Sequence, residues 1–330
     1  MATMREVAGR AGVSTATVSR ALSGNPTVDP DLAARVRSAA HALGYRPNGV
    51  ARSLRRQTTA VLALIISDVE NPFFTAIARG VEDTAQSAGY SVVLCNSDES
   101  TAKERRYVDV LLQEQVAGVI VSPTSAAGAL EPLWDNGTPV VAVDRPLPGL
   151  ECDTVLVDSR VAANVATTHL AAQGYQRIGC LTGPVGVHTA DDRLAGYRDA
   201  LRAAKRRSAA DLVRRAEFRT VGAKRSAADL FGIAEPPDGL LVANSTMATG
   251  TLEAMSELGL RAGRDVGLVA FDDSPWATLV DPPLTVISQP AYQIGTMAAQ
   301  LLLARIGGDA RAPRTITLNA QLVVRGSSHR

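Results

Sequence analysis

The chain has 330 residues, 46% apolar and 20% charged, the profile of a globular protein with two or three structural units. No apolar run approaches the ~18 residues that span a bilayer, and the polar start MATMREVAGRAGVS lacks a signal-type apolar segment, so neither membrane insertion nor export is expected, and a cytoplasmic location is the expectation. The net charge of +1 conceals an asymmetry: residues 1–57 carry nine arginines against Glu6, Asp29 and Asp31, while the rest holds 25 basic and 30 acidic residues. A basic head on a slightly acidic body points to polyanion binding.

In chain order, Thr3 and Glu6 have the spacing of a capping box, and Val7, Ala8 and Ala11 follow as a short apolar stripe. Gly12 ends this helix. Ser14 is placed to cap a second one, whose Val18, Ala21 and Leu22 face inward. Asp29-Pro30 opens a third, carried by Leu32, Val36, Ala39, Ala40 and Leu43 and stopped by Gly44. Three such helices, the first two joined through a glycine, make a helix-turn-helix. Its second helix enters the major groove. Thr15, Ala16, Ser19 and Arg20 lie off the apolar stripe there. Arg20 can bond a guanine bidentately, and Thr15 and Ala16 are small enough to meet a thymine methyl. Ser14 and Thr17 suit phosphate, which fixes register without reading sequence. A bare three-helix unit would equally serve protein contacts; the basic excess favours DNA.

From residue 60 the pattern changes to short apolar runs: VLALII (61–66), YSVVLC (90–95), GVIV (118–121), VVAV (140–143), IGCL (178–181), GLLVA (239–243) and VGLVAF (266–271). Helical stripes such as Phe74, Ile77, Val81, Ala85 and Ala88 lie between most of them. Strands buried on both faces with helices between them predict parallel α/β sheets, and the restart near Val157-Asp158 predicts two lobes. The boundaries follow as 1–46 for the head, 47–59 for a hinge and linker, and 60–330 for the body. Within the body, one lobe takes about 60–158 and 290–320, the other about 159–288 and the C-terminal strand. RAAKRRS (202–208) reads as a basic, exposed helix end. Cys95, Cys152 and Cys180 have no CxxC spacing, sit in or beside apolar runs, and read as buried inert thiols of a reduced compartment.

Open α/β sheets bind ligands beyond the carboxyl ends of their strands. That edge carries Ser67–Asn71 with Pro72-Phe73-Phe74, then the loop Thr182–His188 with Thr189 and Arg193. Asn244 and Ser245 follow the next run, and Asp272 and Asp273 the last. Aromatic, cationic, amide and carboxylate groups on one cleft suit a sugar, whose C–H face stacks on rings while its hydroxyls pair with Arg, Asn and Asp. Taken singly, Asn71, Thr189 and Ser245 also read as helix caps, Phe74 as core, and an Asp after a strand as a cap. An enzyme on these lobes would need a nucleotide-binding glycine loop, GxSxG or HExxH, and none is present. His41, His169, His188 and His329 are scattered, and His188 alone lies near the cleft. No metal or cofactor site is expected. A sugar-binding protein without DNA function is a third reading, disfavoured by the basic head.

EVAGRAGVSTATVSRALSG (6–24) with GYRPNGVARSL (44–54) resembles the DNA-binding domain of the lactose/galactose repressor (LacI) family. The body resembles it too, as a relative of periplasmic sugar-binding proteins, through DVENPFF (68–74), DRLAGY (192–197), LVANS (241–245), FDD (271–273) and PPLTVISQP (282–290). The resemblance implies a hinge at Val50, Ala51, Arg52, Ser53 and Leu54 that becomes helical on operator DNA. Leu54 would wedge into the minor groove, an insertion that unstacks a base step and bends the duplex. It implies effector contacts at Phe73, Phe74, Arg193, Asn244 and Asp272, with Thr189 and Phe218 beside them. It implies a homodimer on a pseudo-palindromic operator, and a repressor whose operator affinity is set by a small ligand, a sugar or sugar derivative. A corepressor-dependent regulator of a non-sugar metabolite stays open as the alternative. Two positions depart from the family pattern: Ser245 stands where Asp is usual, and Val187 where purine-sensing members have Arg, which disfavours a purine. No leucine heptad follows LVVRGSS (322–328), so a tetramer-forming coiled coil is not expected.

Overall fold

The structure is a computed structural model that describes residues 2–22, 27–45, 59–124, 127–206 and 209–330. It divides into two units, Met1–Thr59 and Ala60–Arg330. The hinge positions Val50, Ala51, Arg52 and Leu54 lie outside the described residues.

The head contains α1 (Met4–Ala11), α2 (Thr15–Leu22) and α3 (Pro30–Ala42). Its helix ends are fixed by local chemistry. Glu6 N donates to Thr3 Oγ1 at 3.3 Å and Thr3 N donates to the Glu6 carboxylate at 2.7 Å, a complete capping box. Gly12 closes α1 at φ 65°, a left-handed conformation that suits glycine. Asp29 Oδ1 accepts from Asp31 N and Leu32 N, both at 3.0 Å, ahead of Pro30 at the first helical position. Arg35 donates to Ala11 O at 3.0 Å, satisfying a carbonyl at the end of α1. Val7, Val18 and Val36 are fully buried among Ala8, Ala11, Ala21, Ala39 and Ala40. These small side chains let the three helices approach closely.

The first lobe is built from β1 (Val61–Ile66), α4 (Pro72–Ser87), β2 (Ser91–Asn96), α5 (Thr101–Gln113), β3 (Gly118–Val121), α6 (Glu131–Asp135), β4 (Val140–Val143) and β5 (Asp153–Val157). The chain then enters the second lobe with α7 (Ser159–Ala172), β6 (Ile178–Thr182), α8 (His188–Ala203), β7 (Val213–Arg215), α9 (Thr220–Phe231), β8 (Gly239–Val242), α10 (Ser245–Glu257), β9 (Gly267–Phe271) and β10 (Thr285–Ser288). It returns to the first lobe for α11 (Ala291–Ile306) and β11 (Thr315–Leu318), and ends in the second with β12 (Gln321–Val323). The sheets have the orders β11-β5-β4-β3-β1-β2 and β12-β10-β9-β8-β6-β7. All described pairings are parallel except β12 on β10. Two parallel sheets with interleaved helices are the architecture that the apolar runs predict.

The strand order reverses at β1 in one sheet and at β6 in the other. Such switch points open a crevice beyond the carboxyl end of the strand, and here they aim the β1–α4 and β6–α8 loops at the cleft. The central strands are buried on both faces. Strand β2 departs from that expectation: Val93 is 46% and Leu94 45% exposed. It is an edge strand, paired with β1 alone among the described strands. Helices α4 and α11 meet backbone to backbone, since a Cβ on Gly80 would lie 2.2 Å from Tyr292 O and one on Gly295 2.1 Å from Ile77 O. Cys95 and Cys180 are buried, but Cys152 is only half-buried, a correction to its reading as a core thiol. All three are free, and burial pushes the thiols up, that of Cys180 to about 12.

Candidate functional site

Two sites emerge, one in each unit. On the head, Ser14 Oγ accepts from Thr17 N at 3.1 Å and sits 2.9 Å from Thr17 Oγ1, which fixes the start of α2. Thr15, Ala16 and Arg20 are exposed, Thr17 and Ser19 partly so, while Val18 and Ala21 face the core. The exposed face at the N-terminal end of α2 therefore carries the residue types that meet bases and phosphates.

In the body, all seven sequence candidates line one cavity. Phe73, Phe74, Thr189, Arg193, Phe218, Asn244 and Asp272 surround it with Asp68, Asn71, Glu99, Asp144, Arg145 and Gln289. The space left between their atoms is only about 20 Å³, room for little more than one water, so the cleft is closed down on itself and a ligand enters only when the lobes part. Phe73 and Phe74 follow Asn71, which caps α4 by accepting from Phe73 N at 3.0 Å. Their rings meet edge to face with centroids 5.1 Å apart. Asn244 caps α10 by accepting from Met247 N at 2.7 Å. Phe218 is held against Gly183, where a Cβ would lie 2.1 Å from the ring.

The charged groups lie in two clusters, one around Arg145 and one around Arg193 and Asp272, that act on each other electrostatically. Arg145 makes two bonds to Glu99, at 2.6 and 2.7 Å, and its Nε lies 3.3 Å from Asp144. Arg193 donates to Ala243 O at 2.5 Å and stacks over Phe271 with 4.2 Å to the ring centroid. Asp272 accepts from Gln289 Nε2 at 2.6 Å and from Ser245 N at 3.3 Å. Asp144 and Asp272 leave their strands with φ of 66° and 74°, a conformation Asp tolerates better than most residues and one that turns each carboxylate toward the cleft. Burial pushes both carboxyls up, with Arg145 and Arg193 pulling Asp144 back and Arg193 pulling Asp272 back. Burial likewise pulls the Arg193 guanidinium down, against Asp272 and Asp144. Asp68 Oδ2, Arg145 Nε, Arg193 Nε and Gln289 Oε1 are buried with no hydrogen-bond partner in the protein. Buried polar atoms left open on a cavity wall are costly unless a ligand takes them up.

Glu99, Asp144, Arg145 and Gln289 escaped the sequence reading. Asp144-Arg145 follows VVAV at the same sheet edge, so the carboxyl-end rule selects them by the signal that found Asp272. Several single-residue readings are corrected. Asn244 is the cap of α10, not Ser245, whose hydroxyl reaches Asn71 Oδ1 at 3.3 Å. Thr189 lies inside α8, which starts after Val187 without a side-chain cap. Val187 packs against the second lobe's core and does not line the cavity. His188 pairs with Asp192 at 3.3 Å with about half its side chain exposed, and it is not among the residues lining the cavity. Asp273 pairs with Arg325 at 2.7 and 2.8 Å, outside the cavity. No group of residues suited to a metal occurs among the described residues, and no helix there is long and apolar enough to cross a membrane.

Residues 3–48 match the family "Bacterial regulatory proteins, lacI family", and residues 167–328 match a periplasmic binding protein-like domain. The ribose operon repressor of Halalkalibacterium halodurans is 35% identical over 98% of this chain and 96% of its own length. The transcriptional repressor CytR of Escherichia coli is 33% identical over 99% of this chain and 96% of its own. A crystal structure of the lac repressor dimer bound to operator and the anti-inducer ONPF superposes with a TM-score of 0.87 at 26% identity, covering 100% of this chain and 99% of that one. The chain belongs to the LacI family of bacterial transcriptional repressors.

Proposed function

We propose that this repressor binds a pseudo-palindromic operator as a homodimer and is controlled by a small neutral aldose, ribose in the first place, held in the body cavity. Neutrality carries the choice. Among the lining residues, Asp68, Glu99, Asp144 and Asp272 outnumber Arg145 and Arg193, and both arginines already face carboxylates. A phosphate or carboxylate ligand would meet net negative charge, whereas hydroxyls can donate to carboxylates and accept from the open guanidinium N–H groups. Three phenylalanines supply faces for the sugar's C–H groups. The relatives alone do not select the effector, since a ribose operon repressor and CytR are almost equally similar.

The ligand bridges the lobes, because Phe73 and Arg145 belong to the first and Arg193 and Asp272 to the second. Its binding sets the lobe angle, thereby the spacing of the two hinges in the dimer, and so operator affinity; a coupling of ~1–3 kcal/mol changes that affinity roughly 5–150-fold. The exposed apolar residues of β2, with Val110 at 51% exposure on α5, support a partner subunit on that face. The decisive experiment measures operator binding with ribose, other pentoses, glucose, ribose 5-phosphate and nucleosides. Ribose is expected to change operator affinity and its phosphate is not. A response to the phosphate and none to free sugars would overturn the reading.

A further inference from the structure

We infer that Arg219, which does not line the cavity, is an electrostatic latch that holds the two lobes closed over the effector and so sets its affinity from outside the binding site. Arg219 stands immediately before α9 of the second lobe and makes no capping bond there. Its guanidinium instead reaches the first lobe, 2.9 Å from Asp68 Oδ1 and 3.1 Å from Asp98 Oδ1, with Glu70 at 4.0 Å. Asp68 is nearly fully buried, so opening the lobes strips a desolvated carboxylate of its counter-ion.

The geometry on the far side of the cleft shows how the latch meets the site. Asp98 and its neighbour Glu99 both sit at positive φ, 52° and 57°, in one turn after β2. Two consecutive non-glycine residues in that conformation are strained, and here each carboxylate is tied down. Asp98 is held by Asn96, by Lys103 and by Arg219, while Glu99 makes the bidentate bond to Arg145. One turn therefore joins the latch to an arginine on the cavity wall. Arg145 in turn lies 5.9 Å from the centroid of Phe218 on the second lobe. Closure by Arg219 and correct placement of Arg145 are two consequences of the same turn.

This inference rests on the reading of the cleft as the effector site, and the test separates the two. An uncharged sugar has no reason to bind with an affinity that depends on salt unless an ion pair forms or strengthens on closure. For the full-length dimer, ribose affinity is therefore expected to fall between about 0.05 M and about 0.5 M NaCl. Arg219→Gln is expected to weaken ribose roughly three- to tenfold at low salt and to flatten the salt dependence. Arg219→Lys is expected to restore part of both. Asp98→Asn combined with Arg219→Gln is expected to lose less than the sum of the single changes. Salt-independent binding by the wild type, or Arg219→Gln with unchanged affinity, would overturn the latch. If the wild type binds no ribose, the effector assignment fails, and hydrogen exchange without ligand decides the latch alone. Residues 67–71, 97–99 and 243–245 are expected to exchange faster in Arg219→Gln, and equal exchange overturns it.

Discussion

Ser245 and Asn71 join the two lobes through a single hydrogen bond: the Ser245 hydroxyl donates to Asn71 Oδ1 over 3.3 Å. The same oxygen accepts from Phe73 N at 3.0 Å, and Ser245 N donates to Asp272 at 3.3 Å. The start of α10 is thereby tied to the start of α4 across the cleft, beside a cavity carboxylate. A serine fits here because it donates without adding charge to an already acidic wall.

Ser245→Ala is expected to remove that crossing bond and weaken the effector by ~0.5–1.5 kcal/mol, with operator binding in its absence unchanged. Ser245→Asp places a second carboxylate near Asp272 and is expected to cost considerably more. Calorimetric titration of both variants checks the order, and an aspartate variant that binds as well as the wild type contradicts this account of the position.

Arg193 and Asp272 provide the sharper test. Removing either leaves buried ligand groups and the partner charge unpaired, at about 1–3 kcal/mol or more for each variant. Arg193→Ala and Asp272→Ala are expected to bind operator yet stop responding to effector. Thermal melting shows whether the fold survives, and a full effector response in both variants excludes the cavity as the sensing site.

The pH dependence follows from the same carboxyls. In the unliganded protein burial lifts Asp144 and Asp272 above the ordinary value of 3.8. Their folded values exceed their unfolded ones, so their contribution to stability is fully present at low pH and lost as pH rises through the folded values. Hydroxyls donating to the ionised carboxylates lower those values again in the complex. Effector affinity is therefore full above the unliganded values and falls as acid protonates the pair, starting at a higher pH than for a surface aspartate. The rise in melting temperature produced by ribose is expected to shrink as pH falls through the unliganded values of the pair and to be largest above them. A larger rise at the acid end reverses the sign and rejects the assignment.

Much of this cavity is legible in the sequence because parallel sheets put their functional loops after short apolar runs. Asn71, Phe73, Arg193, Asn244 and Asp272 each follow such a run directly or through one loop. Phe218 follows β7, three residues too short and too basic to show as a run, and only the family resemblance points to it. Glu99 is invisible for a different reason: its partner Arg145 is 46 residues away, and its direction is set by a left-handed turn that no local pattern announces. The edge position of β2 is hidden as well. YSVVLC looks like any central strand until the strand order shows that no described strand pairs with it on one side.

That edge leads to a prediction about assembly. Val93 and Leu94 leave apolar surface on a strand open to pairing or packing with another chain. Leu94→Asp is expected to shift sedimentation from dimer toward monomer and to weaken operator binding strongly, because two half-sites are then no longer held together. Ribose binding to each body is expected to persist. A dimer of unchanged stability places the subunit contact elsewhere.

We propose that the exposed face of α2 reads the operator, and Arg20 is the longest side chain on that face. Arg20→Ala is expected to cost ~1–3 kcal/mol of specific affinity and to relax the preference at one base pair in each half-site. Thr17→Ala, which removes a hydroxyl beside Ser14 at the helix start, is expected to weaken all sequences alike, as a phosphate contact does. Selecting operators from a random pool with each protein separates the two roles. An Arg20 variant that returns the wild-type consensus at wild-type affinity removes base reading from this residue, and the search then moves to Thr15, Ala16 and Ser19 on the same helix.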